Sequence, residues 1–263
     1  DDVTTGAAIA EQLGIPGEAI LGAEFAALSE PERLRRIDDI GVVGRVAPEH
    51  KVLLVETLRK KGHVVAMTGD GVNDAPAIKA ADIGIAMGSG TEVAKNAGRM
   101  ILSDDNFATI VRAVEKGRAV YDNLNKYIRF VMLELAAYII TFLGASLLNI
   151  AAGQPFSAPQ ILYINFLGNA PLGIALGMDR ETPGLMERAP RPRDATIMTR
   201  GLLTTAGLVG LFMAVTTLAL IAYGTERFDS TEIGASIGLT AFSLMIVASA
   251  FQARSVTASA LTM

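Results

Sequence analysis

Cysteine is absent from the 263 residues, so neither a disulfide nor a thiolate metal site is open to this chain. Charge is scarce in one half. Residues 130–263 hold 8 of the 27 acidic and 7 of the 23 basic side chains, and residues 1–129 hold the other 19 and 16. No basic cluster stands beside aromatic residues and the formal net charge is −4, which argues against a nucleic-acid partner. No signal-peptide pattern is visible, and the first residue is Asp1 rather than methionine. What is plentiful is apolar: 51% of residues are hydrophobic and the mean hydropathy is +0.39. The contrast predicts a soluble domain followed by a membrane domain, and length alone allows about two domains.

The densest chemistry lies in Thr68 to Lys79, TGDGVNDAPAIK. An apolar run, His63 to Met67, reads as a buried strand entering a tight turn. Gly69 and Gly71 flank Asp70, so the backbone can turn sharply and approach a ligand. Asp70, Asn73 and Asp74 gather hard oxygen ligands where a strand ends and a helix begins, with Pro76 suited to an early helical turn. Carboxylates, a glycine turn and a helix start suit Mg²⁺ and a phosphoryl group. The plainer reading is an ordinary Gly/Asp/Asn turn.

Around that stretch, strands and helices alternate. Helices are expected at Thr5–Leu13, Pro31–Ile37, from Pro48 to Gly62, from the central stretch to Ala81, and at Thr91–Ala97. Strands are expected at Val42–Val46, Ile83–Met87 and Met100–Leu102, and Glu18–Leu28 reads as a loosely patterned connection. In the Pro48 helix, Val52, Leu53, Val55 and Leu58 point inward, against Glu56, Arg59, Lys60 and Lys61. Such alternation implies a parallel sheet covered on both faces, with ligands beyond the carboxyl ends of its strands, where Asp70 falls. Lys51, in that helix's first turn, reads by itself as a solvated lysine.

TGDGVNDAPAIK resembles the hinge motif of P-type cation-transporting ATPases, and APEHK precedes it at the separation found in these pumps and their haloacid-dehalogenase-like relatives. The resemblance implies a haloacid-dehalogenase-like, Rossmann-like parallel-sheet phosphorylation domain, partial here, followed by an α-helical transmembrane bundle of four spans. It implies ATP as substrate and Mg²⁺ as cofactor. Lys51 would contact the transferred phosphoryl group and Asp70 would hold Mg²⁺. Asn73 and Asp74 would order the phosphoryl oxygens and the metal shell, and Thr68, Gly69 and Gly71 would line the phosphate site. Asp1, followed by Asp2-Val3-Thr4-Thr5, resembles the last residue of a second phosphate-site motif. The family's acceptor aspartate lies in DKTGT, a string that does not occur here. The expected partner is therefore the remainder of the same polypeptide: actuator and nucleotide-binding domains and the first four membrane helices.

The resemblance divides the chain into phosphorylation domain (1–118), stalk (119–129, within VYDNLNKYIRF) and transmembrane domain (130–263). Apolar spans are expected at about 130–152, 159–178, 201–223 and 233–251, each near the ~20 residues that cross a bilayer. The first carries one charge, Glu134. Its eleven Leu, Ile, Val and Phe residues contribute about −0.5 kcal/mol each on the insertion scale. One central carboxylate costs roughly +3 kcal/mol, so insertion wins. An apolar buried bundle is the alternative.

Arg180, Arg188, Arg191, Arg193 and Arg200 crowd one connection, Arg254 follows the last span, and Lys126 and Arg129 precede the first. Only Arg227 lies opposite, among Glu226, Asp229 and Glu232. The positive-inside rule then puts the phosphorylation domain in the cytoplasm of a multi-pass membrane protein, expected in a bacterial plasma membrane.

For the transported cation, Glu134, Tyr138 and Thr141 share a helix face. Asn165 and Asn169 do likewise beside Gly168 and Pro171, where an interrupted helix frees carbonyls to coordinate. The asparagines read equally as helix–helix glue and Glu134 as structural. QILYINFLGNAPLGIALGMDRETPGLMERAPRPRD resembles the calcium-pump branch. Asn165 matches a ligand position there, whereas Leu135, Tyr138, Gly168, Asn169 and Ala248 depart from it, implying one site at most, with Ca²⁺ the leaning. A membrane-anchored phosphatase of the same superfamily, or an inactive piece that only binds a partner, stands as the alternative.

Overall fold

A computed structural model describes residues 2–192 and 195–254. Asp1 and Arg193 lie outside the described residues. Contacts divide the chain into two units, 1–113 and 114–263.

In the first unit, α1 (Val3–Leu13) ends on Gly14 at φ 67°. Where a loose connection is expected, a strand and a helix form instead: β1 (Glu18–Leu21) and α2 (Gly22–Ala27). β1 pairs in parallel with β2 (Ile40–Gly44), and that pairing gives EAIL its order despite a polar start. Between them lies α3 (Glu30–Arg36), with Pro31 in its first turn. The second strand starts two residues before the sequence pattern places it. α4 (Pro48–Lys60) follows as expected, although Thr57 is buried with Val55, its hydroxyl donating to Leu53 O at 2.7 Å.

β3 is Ala66–Gly69 rather than His63–Met67. The ladder decides its bounds, because Ala66 to Gly69 pair with Ile83 to Ala86 of β4 (Ile83–Met87). α5 (Ala75–Ala80), α6 (Glu92–Ala97) and β5 (Met100–Leu102) complete the unit. The expected single sheet is two parallel sheets among the described residues, β1-β2 and β3-β4-β5. α4 explains the division. Its Leu53, Leu54 and Leu58 pack with Ile20, Phe25 and Ile37, while Val52 and Val55 pack with Val65, Ala77 and Ala81. One helix serves both cores.

α7 (Phe107–Leu147) is one helix of 41 residues, about 60 Å long. It joins the expected stalk and first span without a break, and ends five residues before the sequence pattern does. There Asn149, Ala151 and Ala152 take positive φ of 51°, 49° and 52°, which stops the helix.

The second expected span is helical in three pieces: α8 (Ala158–Tyr163), a π turn (Ile164–Asn169) and α9 (Ala170–Gly177). Pro171 explains the π turn. It has no N–H for the next bond, and Ala170 N–H reaches back five residues to Asn165 O. α10 (Arg200–Phe228) and α11 (Thr231–Arg254) follow. Among the described residues three helices, α7, α10 and α11, are long and apolar enough to cross a membrane, and the 158–177 segment is not one of them.

Phe130, Ile164, Ile221, Phe242 and Ile246 form the buried heart of this unit. α10 and α11 pack backbone to backbone: a Cβ on Gly234 would sit 2.2 Å from Thr225 Oγ1 and 2.6 Å from Ile221 O. Close approach of this kind replaces the hydrophobic drive that lipid cannot give. Outward, α7 exposes Leu135, Ile139 and Leu143 in line at 48%, 51% and 58%, a stripe that water would not tolerate.

Candidate functional site

The β3–α5 junction builds the first site. β3 delivers Asp70 at its carboxyl end, a 3₁₀ turn (Val72–Asp74) follows, and α5 begins at Ala75 with Pro76 in its first turn. Gly69 is needed there: a Cβ would meet Asp74 Cβ at 2.4 Å. Gly71 is not. Its φ is −104° and a Cβ would come no closer than 3.6 Å to Asp74. Only one of the two flanking glycines is therefore demanded by the chain's own packing. Thr91 N–H donates to Asp70 O at 2.8 Å, so the β4–α6 loop holds the Asp70 backbone from the other side.

Asp74 is 7% exposed and fully engaged. Its Oδ1 accepts from Lys51 Nζ at 2.5 Å, and its Oδ2 from the Asp70 and Gly71 N–H groups at 3.4 and 3.3 Å. Burial pushes its carboxyl up, but the Lys51 ammonium and the two N–H groups outweigh burial and hold it below the usual range. Lys51, half-buried on the first turn of α4, is thus drawn from solvent into the site.

The Asp70 side chain is exposed and has no partner among the described residues, and Asn73 is exposed beside it. Among the described residues no group of three or more Asp, Glu or His side chains converges. Mg²⁺ binds through one or two carboxylates plus waters and phosphate oxygens rather than in an all-protein cage. The donor set fits. Asp70 is free to ligate, whereas both Asp74 oxygens already carry donors and face Lys51. Thr68, half-buried in β3, pairs in register with Ile85.

The second unit gathers three of the four membrane candidates. Asn169 Nδ2 donates to Glu134 Oε1 and lies 3.1 Å from Asn165 Oδ1. Asn165 Nδ2 donates to Ile161 O at 2.9 Å. Glu134 is 6% exposed. Tyr138 is not drawn in by hydrogen bonds: its ring lies 5.0 Å from Phe242 and 6.5 Å from Phe142. Thr141 is spent inside its own helix, donating to Ala137 O at 2.7 Å. Two buried polar atoms here have no partner among the described residues, Asn169 Oδ1 and the Tyr138 hydroxyl. Buried acceptors are nearly always satisfied, so an orphan oxygen beside a carboxylate is a place for a cation or a water.

The comparisons with known proteins fall on both units. Residues 153–263 match the family described as cation transporting ATPase, C-terminus. Residues 1–82 and 52–114 match haloacid dehalogenase-like hydrolase families. Calcium-transporting ATPase 1 of Lactococcus lactis is 42% identical, over 97% of this chain and 29% of that protein. The chain belongs to the cation-transporting P-type ATPases. Cation-transporting ATPase pma1 of Synechocystis is 40% identical, over 92% of this chain and 27% of its own length. A calcium-transporting ATPase of Listeria monocytogenes is 39% identical, over 97% and 29%. The chain thus spans less than a third of the curated relatives it matches, and it is a multi-pass membrane protein with a haloacid-dehalogenase-like domain ahead of its membrane helices.

Sequence reading of this P-type ATPase chain misses two participants. Thr91 carries no motif of its own, since it acts through its backbone N–H. The cluster of Asn123, Lys126, Asp179 and Arg254, of which Asn123 and Lys126 are buried, is missed as well. Its one signal is Asp179, an acid ending an apolar stretch, with Lys126 just before another.

Proposed function

We propose that this chain is the catalytic edge and membrane portion of an ATP-driven cation pump that cycles through an aspartyl phosphate carried elsewhere in the polypeptide. The observation that carries this reading is the Lys51–Asp74 pair at 2.5 Å, set beside an exposed Asp70 carboxylate without a partner among the described residues, at a parallel sheet's carboxyl edge. Phosphoryl transfer depends mainly on positioning and charge neutralisation. Lys51 supplies a fixed positive charge for phosphoryl oxygens, Asp74 aims it, and Asn73 offers an exposed amide donor to the same oxygens. Thr68, Gly69 and Gly71 keep the backbone low enough for the group to approach. Asp70 is the residue to hold Mg²⁺, with Asp74 nearest to its shell, and the ion would supply several kcal/mol of charge stabilisation to the transferring group.

Glu134, Asn165 and Asn169 form the cation site, with Tyr138 as a wall whose hydroxyl is available to it. One carboxylate and two amides make a single site, for Ca²⁺ or another divalent cation once groups outside this chain add their oxygens. The 158–177 segment serves as a fourth span, bent at the π turn that carries both asparagines. Residues 1–118 form the phosphorylation domain, 119–129 the stalk and 130–263 the membrane domain. The arginines between α9 and α10 favour a cytoplasmic phosphorylation domain, and the bacterial relatives favour a bacterial plasma membrane. A membrane-anchored phosphatase would have no use for a buried Glu134 that accepts from Asn169.

The test is ATP hydrolysis by the complete protein across Ca²⁺, Mn²⁺, Mg²⁺, Na⁺ and K⁺. Stimulation by micromolar Ca²⁺ that Asn165→Ala weakens is the expected result. Hydrolysis indifferent to every cation and to Asn165→Ala would refute a pump.

A further inference from the structure

Arg129 is left without a counter-charge where its basic neighbours have one. Lys126 and Arg254 both meet Asp179, at 2.9 Å each. Arg129, one turn beyond Lys126 on α7, is half-buried and has no hydrogen-bond or ion-pair partner among the described residues. It lines a cavity of about 340 Å³ against the start of α10 and the end of α11, together with Thr199, Thr205 and Gln252. Buried Leu133, Leu202 and Ala253 supply apolar surface to it, and its lining contains no acidic side chain.

Gln252 also lines an apolar cleft of about 330 Å³ between α10 and α11. Leu208 and Phe212 of α10 form one wall, 70% and 66% exposed, and Met245 and Ala248 of α11 the other. From Thr205 to Phe212 the helix rises about 10 Å. A cationic pocket that opens onto an apolar cleft is shaped for a molecule with an anionic head and an apolar tail. The level is that of a bilayer's headgroups. Arg129 stands where the apolar stretch of α7 begins, Arg200 starts α10 and Arg254 ends α11, and all three helices are long and apolar enough to cross a membrane. Basic pockets between membrane helices at this level take acidic headgroups.

We propose that this cavity and cleft hold one acidic phospholipid, its phosphate on the Arg129 guanidinium and an acyl chain along the α10–α11 cleft. The planar guanidinium fork matches two phosphate oxygens, and Thr205 and Gln252 add a hydroxyl and an amide. A charge half withdrawn from water with no acid beside it is costly until an anion arrives. A zwitterionic lipid offers the same phosphate but brings its own cation, so the acidic lipid is the one selected.

The test reconstitutes the complete protein in phosphatidylcholine vesicles carrying a minority of phosphatidylglycerol, extracts it in mild detergent and measures the retained lipids by mass spectrometry. The wild type should retain phosphatidylglycerol enriched about fivefold over its share of the vesicle. Arg129→Gln should bring that enrichment near parity, and Ala248→Trp, which fills the cleft, should do the same. Arg129→Lys should keep most of it, a recovery that loss of fold would not produce. Arg200→Gln, which removes a charge at the same level but outside the cavity, should leave it near the wild-type value. No enrichment on the wild type, or equal losses in Arg200→Gln and Arg129→Gln, overturns the site. Displacement of the retained lipid by millimolar inorganic phosphate would make this a site for a free anion and overturns the lipid.

Discussion

The two polar sites of this chain are finished to different degrees. At the β3–α5 junction, Asp74 has donors on both oxygens and its lysine in place. In the membrane unit, Glu134 and Asn169 meet, yet Asn169 Oδ1 and the Tyr138 hydroxyl are buried without partners among the described residues. On the proposed function, the difference follows from what each site would handle. A phosphoryl group needs charges held in advance, because preorganised dipoles cost nothing to reorient during reaction. A transported ion must be bound and released, so its site keeps acceptors open and sits on a helix turn able to shift.

The largest test of this contrast is Lys51→Met. It removes the charge and leaves Asp74 buried with only backbone donors, and phosphoenzyme formation in the complete protein should slow roughly 10²-fold. Asn169→Ala is expected to act otherwise. It should raise the cation concentration for half-maximal ATPase about tenfold while phosphorylation at saturating cation is nearly untouched. Equal damage to both readouts in both variants would erase the distinction.

Stability separates the two flanking glycines. Gly69→Ala should destabilise the first unit by about 2 kcal/mol, through overpacking against Asp74, and Gly71→Ala by far less. Denaturant titration followed by a signal local to that unit distinguishes them.

The smallest effect is on acid sensitivity where Lys126 and Arg254 meet Asp179. Burial alone would raise the Asp179 carboxyl, but Arg254 and Lys126 prevail and lower it from 3.8 to about 2. A depressed acid contributes its stability above its unfolded value and loses it as pH falls through the folded one. What the pairing contributes to stability should therefore persist above about pH 4 and vanish toward pH 2. Asp179→Asn should flatten that part of the pH profile.

Much of this was legible in the sequence because short motifs fix local geometry. TGDGVND is contiguous, so strand end, turn and helix start follow from one string, and APEHK puts Lys51 one helical turn from Pro48. The rest depends on partners distant in sequence. Glu18–Leu21 becomes a strand only because Ile40–Gly44 lies beside it. The two-sheet arrangement depends on α4 having two apolar faces, whereas the pattern suggested one. The π turn was half visible: Pro171 announced an interruption, but not that Ala170 would reach back to Asn165. Asp179 could not be paired from sequence, since Lys126 and Arg254 lie 53 and 75 residues away. Tyr138 shares a helix face with Glu134, and the aromatic ring beside it decided where it packs.

The most direct measurement is acid-stable, hydroxylamine-sensitive phosphate on the complete protein after brief exposure to radiolabelled ATP and Mg²⁺, with wild type set against Asp70→Asn. Label on the wild type and none on Asp70→Asn is the predicted result. Normal labelling of Asp70→Asn would contradict the claim that this carboxylate, free at the sheet's edge, serves the phosphate chemistry.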